Sequence, residues 1–255
     1  MLAPKSYVIC GTPRSGSTLL CDLLESTGLA GRPASYFRSQ SIPRWSHRLN
    51  VPITEDAPPA DFDCSYINAV MKAGRGGTDV FGLRLMWESV DELSRRLDAL
   101  FPGLKDDHAR FERAFGPMLF IHLSRTDKVS QAISRVKAMQ TGLWHVGSDG
   151  SERERTGPAR DAVYDRDCIG KYVEELTVQD QAWTDWFVDN RIEPVRLTYE
   201  ALSQEPKGTL ETVLFALGLD PAIAAAIEPK TAKMGDFESQ NWELRFRAKP
   251  DALRN

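Results

Sequence analysis

Apolar and polar positions along the chain switch repeatedly between two periods. Residues 7–10 (Tyr-Val-Ile-Cys) form a short apolar run of strand length. Leu19, Leu20, Leu23 and Leu24 then recur at helical spacing, and Gly28 marks the stop. Phe62, Tyr66 and Val70 predict a helix over 61–72, closed by the Gly-Arg-Gly-Gly of residues 74–77. Residues 80–87 read as a second buried strand, with Arg84 near its end. Helical patterns cover 88–101 and 106–115, and residues 118–123 are a third strand, the most strongly apolar run of the sequence. Ser124, Arg125, Thr126 and Asp127 stand at its carboxyl end, where Asp127 is placed to cap a helix marked by Val129, Ala132, Ile133 and Val136. A long helix is predicted over 164–190, a fourth strand over 193–200 and another helix over 210–217. Strands alternating with helices predict an α/β fold, with residues 1–255 as a single domain whose central parallel sheet is flanked by helices.

Three stretches escape this pattern. Residues 32–60 are rich in Ser, Pro and Arg with little periodicity, so they predict a long loop or short helices over the mouth of a site. Within it Tyr36, Phe37 and Trp45 are candidates to stack on a sugar. Residues 145–161 are polar and unpatterned, and predict a mobile loop. The tail gathers Gln240, Asn241, Trp242, Glu243, Arg245, Arg247 and Lys249, a basic end to an acidic chain.

Composition narrows the classes of function. A chain of 255 residues with 42% hydrophobic and 27% charged residues has the make-up of a globular domain with a sizeable core. A net charge of −4 argues against general nucleic-acid binding and leaves the basic residues to act locally. No apolar run reaches membrane-spanning length, and the first strand begins too early for a signal peptide. Cys10, Cys21, Cys64 and Cys168 show no Cys-x-x-Cys pair, and Cys10 and Cys21 fall at apolar positions. These features predict a cytoplasmic protein with core thiols.

The candidate chemistry lies in residues 11–18, Gly-Thr-Pro-Arg-Ser-Gly-Ser-Thr. A strand, a tight loop and a helix N-terminus present consecutive backbone N–H groups to an anion. The spacing Gly11-x4-Gly16 begins like a nucleotide-triphosphate loop, but Ser17 stands where that motif requires Lys. The cation is instead Arg14, whose planar guanidinium can fork onto two oxygens of a phosphate or sulfate ester. Ligands of parallel α/β sheets collect at the carboxyl ends of strands, which puts Arg125 in position to meet whatever Arg14 binds.

The loop resembles the 5′-phosphosulfate loop of sulfotransferases. With it, Gly28-Leu-Ala-Gly31-Arg32-Pro33, Leu85-Met86-Trp87, Arg125-x-Asp127-Lys-Val-Ser-Gln131-Ala132-Ile133-Ser134, Gln181-Ala-Trp183-x-x-Trp186-Phe187 and Tyr199-Glu200 resemble, in order and spacing, the bacterial trehalose 2-sulfotransferase-like family. The resemblance runs over nearly the whole chain. It implies a P-loop-like sulfotransferase fold, 3′-phosphoadenosine-5′-phosphosulfate as co-substrate, no metal, a carbohydrate or glycolipid hydroxyl as acceptor, and a homodimer. Mapped by position, Arg14, Ser15, Gly16, Ser17 and Thr18 would cradle the 5′-phosphosulfate, and Arg125 with a helix hydroxyl would take the 3′-phosphate. Ser130 and Ser134 lie one turn apart and either can serve, with Ser134 preferred. Arg32, Tyr36, Phe37 and Trp87 are expected at the acceptor.

One position departs from the family. The Glu that acts there as base falls, counting from Gly31-Arg32-Pro33, on Ser35, whose hydroxyl is far too weak a base. His47 or Glu55 replaces it, or the acceptor reacts without a strong base, or the protein binds nucleotide with little or no transfer. A P-loop kinase is disfavoured by the missing Lys.

Overall fold

The computed structural model describes residues 5–53, 58–230 and 235–248. Four strands, β1 (Ser6–Gly11), β2 (Phe81–Met86), β3 (Met118–Ser124) and β6 (Val195–Thr198), form a parallel sheet in the order β2-β1-β3-β6. Because β1 is central, its alternating side chains feed two cores. Val8 and Cys10 join Leu83, Leu85 and Phe120 on one face, while Tyr7 and Ile9 join Ile121 and Leu123 on the other. The parallel α/β prediction is borne out.

Helices α3 (Pro59–Arg75), α4 (Val90–Leu100), α5 (Asp107–Phe115) and α7 (Arg166–Asp189) supply apolar side chains to the first core. Helices α1 (Ser17–Ser26), α8 (Tyr199–Gln204) and α9 (Pro206–Ala216) cover the second face. Helix α6 (Lys128–Thr141) packs on α7 and on α10 (Phe237–Arg247), burying Ile133, Ile169, Leu176 and Trp242 between them. As read from the sequence, the Asp127 carboxylate caps α6 by accepting the Ser130 N–H. The predicted fourth strand ends at Thr198, whose hydroxyl accepts the Ala201 N–H and starts α8.

Two unpatterned stretches have more structure than their sequence suggests. Residues 145–161 are not a structureless loop: β4 (Leu143–Val146) and β5 (Glu152–Arg155) pair as an antiparallel hairpin. Its strands are half-buried or exposed on both faces, so no apolar alternation marks them. Residues 32–60 contain a short 3₁₀ turn, α2 (Ile42–Arg48) and the start of α3. Within the tail, Arg245 and Arg247 lie in α10, and Arg247 bonds the Asp127 carboxylate at 2.7 and 2.8 Å. Lys249 and Glu55 lie outside the described residues. Among the described residues no helix is long and apolar enough to cross a membrane.

Candidate functional site

The carboxyl ends of β1, β2 and β3 open into a cavity of about 1210 Å³, closed on one side by the hairpin. Its floor is the loop between β1 and α1. Gln131, fully buried on α6, donates from Nε2 to Thr12 Oγ1 at 2.9 Å and to the Pro13 carbonyl at 2.8 Å. From α7, Trp183 donates its indole N–H to the Gly11 carbonyl at 2.9 Å. The loop then turns through two left-handed residues, Arg14 with φ 66° and Gly16 with φ 86°. Gly16 is required twice: a side chain disfavours that φ, and a Cβ there would stand 2.6 Å from the Tyr199 ring. No side chain caps α1 and no acid sits in its first turn, so its N-terminal N–H groups and positive dipole end face the cavity uncompensated.

Two arginines flank that helix end. Arg14 donates from Nε to Ser134 Oγ at 3.0 Å and from Nη1 to the Trp144 carbonyl of the hairpin at 2.5 Å. Burial, and then the neighbouring Arg125, bring its pKa down to about 10. Arg125 lies over the Tyr199 ring at 4.3 Å and donates from Nη1 to the Arg14 carbonyl at 3.4 Å. Its own pKa is lowered by burial, and its buried Nε has no hydrogen-bond partner among the described residues. Two crowded, partly dehydrated guanidiniums beside an uncapped helix end have the chemistry to hold a multiply charged anion.

Most of the residues expected at the donor lie together around this cavity, with two distinctions. Ser15 is buried with its hydroxyl unpartnered and off the cavity wall, while Arg14, Gly16, Ser17, Thr18, Arg125 and Ser134 line it. Of the two helix serines, Ser130 Oγ lies 2.8 Å from the Asp127 carboxylate and 2.6 Å from that of Glu243, its one hydrogen shared between them, leaving Ser134 as the hydroxyl facing Arg14.

The acceptor side differs from expectation. Tyr36 and Phe37 do not reach the cavity; at 1% and 0% exposure they belong to the first core, where Tyr36 bonds the Arg32 carbonyl at 2.8 Å and Phe37 packs on Tyr66 and Phe115. Trp87 packs edge-on against Trp183, 5.2 Å between ring centres, and Arg32 points outward to Glu25 at 2.7 Å. Trp45 is the aromatic of that stretch that does line the wall, its indole N–H held by the Ser35 carbonyl at 3.1 Å. His47 is exposed on α2 and is not part of the wall.

Ser35 is at the wall, and the sequence reading missed what surrounds it. Arg84, from the end of β2, donates from Nε to Ser35 Oγ at 2.8 Å and from Nη1 to Thr18 Oγ1 at 2.9 Å. Thr18 Oγ1 in turn lies 3.1 Å from Nε2 of His145 on β4. A charged residue near the end of a buried strand was the available signal for Arg84; His145 lay in a stretch with none.

Over residues 6–249 the chain matches the family described as Stf0 sulphotransferase. It is 30% identical to a trehalose 2-sulfotransferase of Mycobacterium tuberculosis (strain Erdman), over 98% of this chain and 97% of that protein. It is 33% identical to a trehalose 2-sulfotransferase of Mycolicibacterium smegmatis, over 96% of this chain and 95% of that protein. Two solved structures align along its length at lower similarity. A sulfotransferase domain from the olefin synthase of Synechococcus PCC 7002 has a TM-score of 0.47 and 15% identity, covering 97% of this chain and 96% of its own. A sulfotransferase from Alicyclobacillus acidocaldarius has a TM-score of 0.46 and 12% identity, with both chains covered at 100%.

Proposed function

The chain belongs to the Stf0 sulphotransferase family, and from its site we propose that it moves a sulfuryl group from 3′-phosphoadenosine-5′-phosphosulfate to a sugar hydroxyl. The observation that carries this reading is the pair Arg14 and Arg125 at an uncapped helix end, with the buried Arg125 Nε unpartnered. Their arrangement suits a nucleotide bearing two separated anionic groups better than a triphosphate, for which the loop lacks the usual Lys.

In this reading Arg14, with the N–H groups of Gly16, Ser17 and Thr18, holds the 5′-phosphosulfate and stabilises charge on the bridging oxygen as the sulfuryl group leaves. Arg125 takes the 3′-phosphate with Ser134, because the Ser130 hydroxyl is committed to two carboxylates that would repel it. Trp45, Ser35 and Arg84 line the approach of the acceptor, whose hydroxyl must lie in line with the breaking bond. The relatives' names make trehalose the first sugar to test.

Calorimetry with 3′-phosphoadenosine-5′-phosphate, AMP and ATP tests the donor. Tight binding of the bisphosphate is expected, weakened at least about 100-fold by Arg14→Ala, which removes charge-assisted bonds. Arg125→Ala should erase the preference for a 3′-phosphate. ATP bound as tightly as the bisphosphate would refute the reading. Transfer of labelled sulfate to trehalose and other disaccharides tests the acceptor.

A further inference from the structure

Resting on that reading, we propose that His145 is the catalytic base, taking the acceptor's hydroxyl proton on Nε2 in place of the carboxylate that Ser35 cannot supply. The hydrogen-bond chain locates it. Arg84 joins Ser35 to Thr18, and Thr18 Oγ1 lies 3.1 Å from His145 Nε2. A sugar hydroxyl presented beside Ser35 and Thr18 therefore also meets the imidazole.

The donors and acceptors agree with this role. A guanidinium can only donate, so the bond from Arg84 occupies a lone pair of Thr18 and leaves its hydroxyl hydrogen free to point at Nε2. With the ring proton on Nδ1, Nε2 carries the lone pair that a base needs, and the acceptor hydroxyl displaces that of Thr18 from it. Once protonated, Nε2 faces the Glu154 carboxylate of β5 at 3.4 Å, a partner for the imidazolium. Glu88, the carboxylate at the end of β2, is directed instead to Arg38 at 3.8 Å.

The charges around the ring explain when it becomes basic. Burial, then Arg14 from the loop, Arg84 from β2 and Arg153 from β5, hold His145 down to about 3, so it is neutral before substrates arrive. Among the surrounding groups, Glu154 opposes them. Arg14 is the largest of the charged contributors after burial, so a polyanionic donor bound on it offsets that share and raises the imidazole's affinity for a proton. In the step itself the acceptor oxygen forms a bond to sulfur while the bond from sulfur to the bridging phosphate oxygen breaks. The hydroxyl proton passes to Nε2 and then to solvent, leaving a sulfate monoester and 3′-phosphoadenosine-5′-phosphate.

Three variants test the assignment: His145→Gln, Ser35→Glu and the two combined. With labelled donor and trehalose, His145→Gln should lower kcat about 100-fold or more, with affinity for 3′-phosphoadenosine-5′-phosphate changed by less than about threefold. The double variant should regain activity through the carboxylate at position 35. An unchanged kcat in His145→Gln, or Glu88→Gln in its place losing turnover, overturns the proposal. NMR titration of the four histidines, with His145 assigned by its loss in His145→Gln, decides independently of the acceptor. His145 should titrate far below 6.5 in the free protein and move upward with 3′-phosphoadenosine-5′-phosphate bound. A ring that titrates near its ordinary value and does not respond to the nucleotide also overturns it. Failure of the wild-type protein to prefer the 3′-phosphate would defeat the donor reading instead, which separates the two failures.

Discussion

The two sides of the cavity are built by different means. On the donor side the elements are backbone and buried groups: Gln131 and Trp183 grip the loop from behind, Tyr199 fills the space that Gly16 leaves open, and Arg14 and Arg125 are partly dehydrated. Each part touches several others, so a change in one disturbs the rest. On the acceptor side, Ser35, Thr18 and His145 meet through single hydrogen bonds to side-chain atoms, along a hairpin whose outer strand is largely exposed. There a substitution removes one bond and leaves the frame standing.

Gly16→Ala against Ser35→Ala puts the contrast to its hardest test. The first forces a Cβ at φ 86° to within 2.6 Å of the Tyr199 ring, and should cost upwards of about 1–3 kcal/mol from strain alone, with nucleotide binding lost. The second removes one bond to Arg84 and should cost about 1 kcal/mol or less. Denaturant unfolding of both proteins measures the difference, and equal losses would erase the distinction drawn between the two sides.

A pH series sharpens it. His145 is held to about 3 in the folded protein, whereas in the unfolded chain it titrates near its ordinary 6.5. Between those values the unfolded chain binds the proton that the folded one refuses, so this group's contribution to stability is complete above about 6.5 and is lost as pH falls toward about 3. Melting temperatures at several pH values across that window should fall less steeply for His145→Gln. Bound 3′-phosphoadenosine-5′-phosphate should also flatten the slope in the wild type.

The smallest effect is expected at Arg153, which pairs with Asp22 and ties the hairpin to α1. Arg153 is partly exposed, so Arg153→Ala should cost no more than about 1 kcal/mol, and less in high salt. A larger loss would mean that the hairpin is as tightly built in as the donor loop.

The same division governed what the sequence revealed. The donor loop was legible because backbone geometry has a local signature: two glycines, hydroxyls and an arginine between an apolar run and a leucine stripe. Arg125 was legible because strand ends are predictable places. Tyr36 and Phe37 were misplaced because no periodicity around them says which way a side chain turns; the structure folds them inward onto Tyr66 and Phe115. Arg32 likewise follows a contact with Glu25 that only the fold creates. The hairpin was missed because neither of its strands buries a regular face, and Arg84 and His145 gain their roles from neighbours 49 to 127 residues distant in the chain.

One small contact at the sheet edge bears on how such a site diversifies. Ala34 forms a single parallel bridge to Leu83, and its carbonyl accepts the Arg84 N–H at 3.1 Å. Just upstream, Gly31 sits at φ 71° with the Val80 and Gly74 carbonyls too close to admit a side chain. Position 35 is thereby carried on the sheet by the backbone of its neighbour, and its side chain adds a single bond, the one from Arg84. It works as a socket: the group it holds can be exchanged while the backbone that forms the wall stays in place.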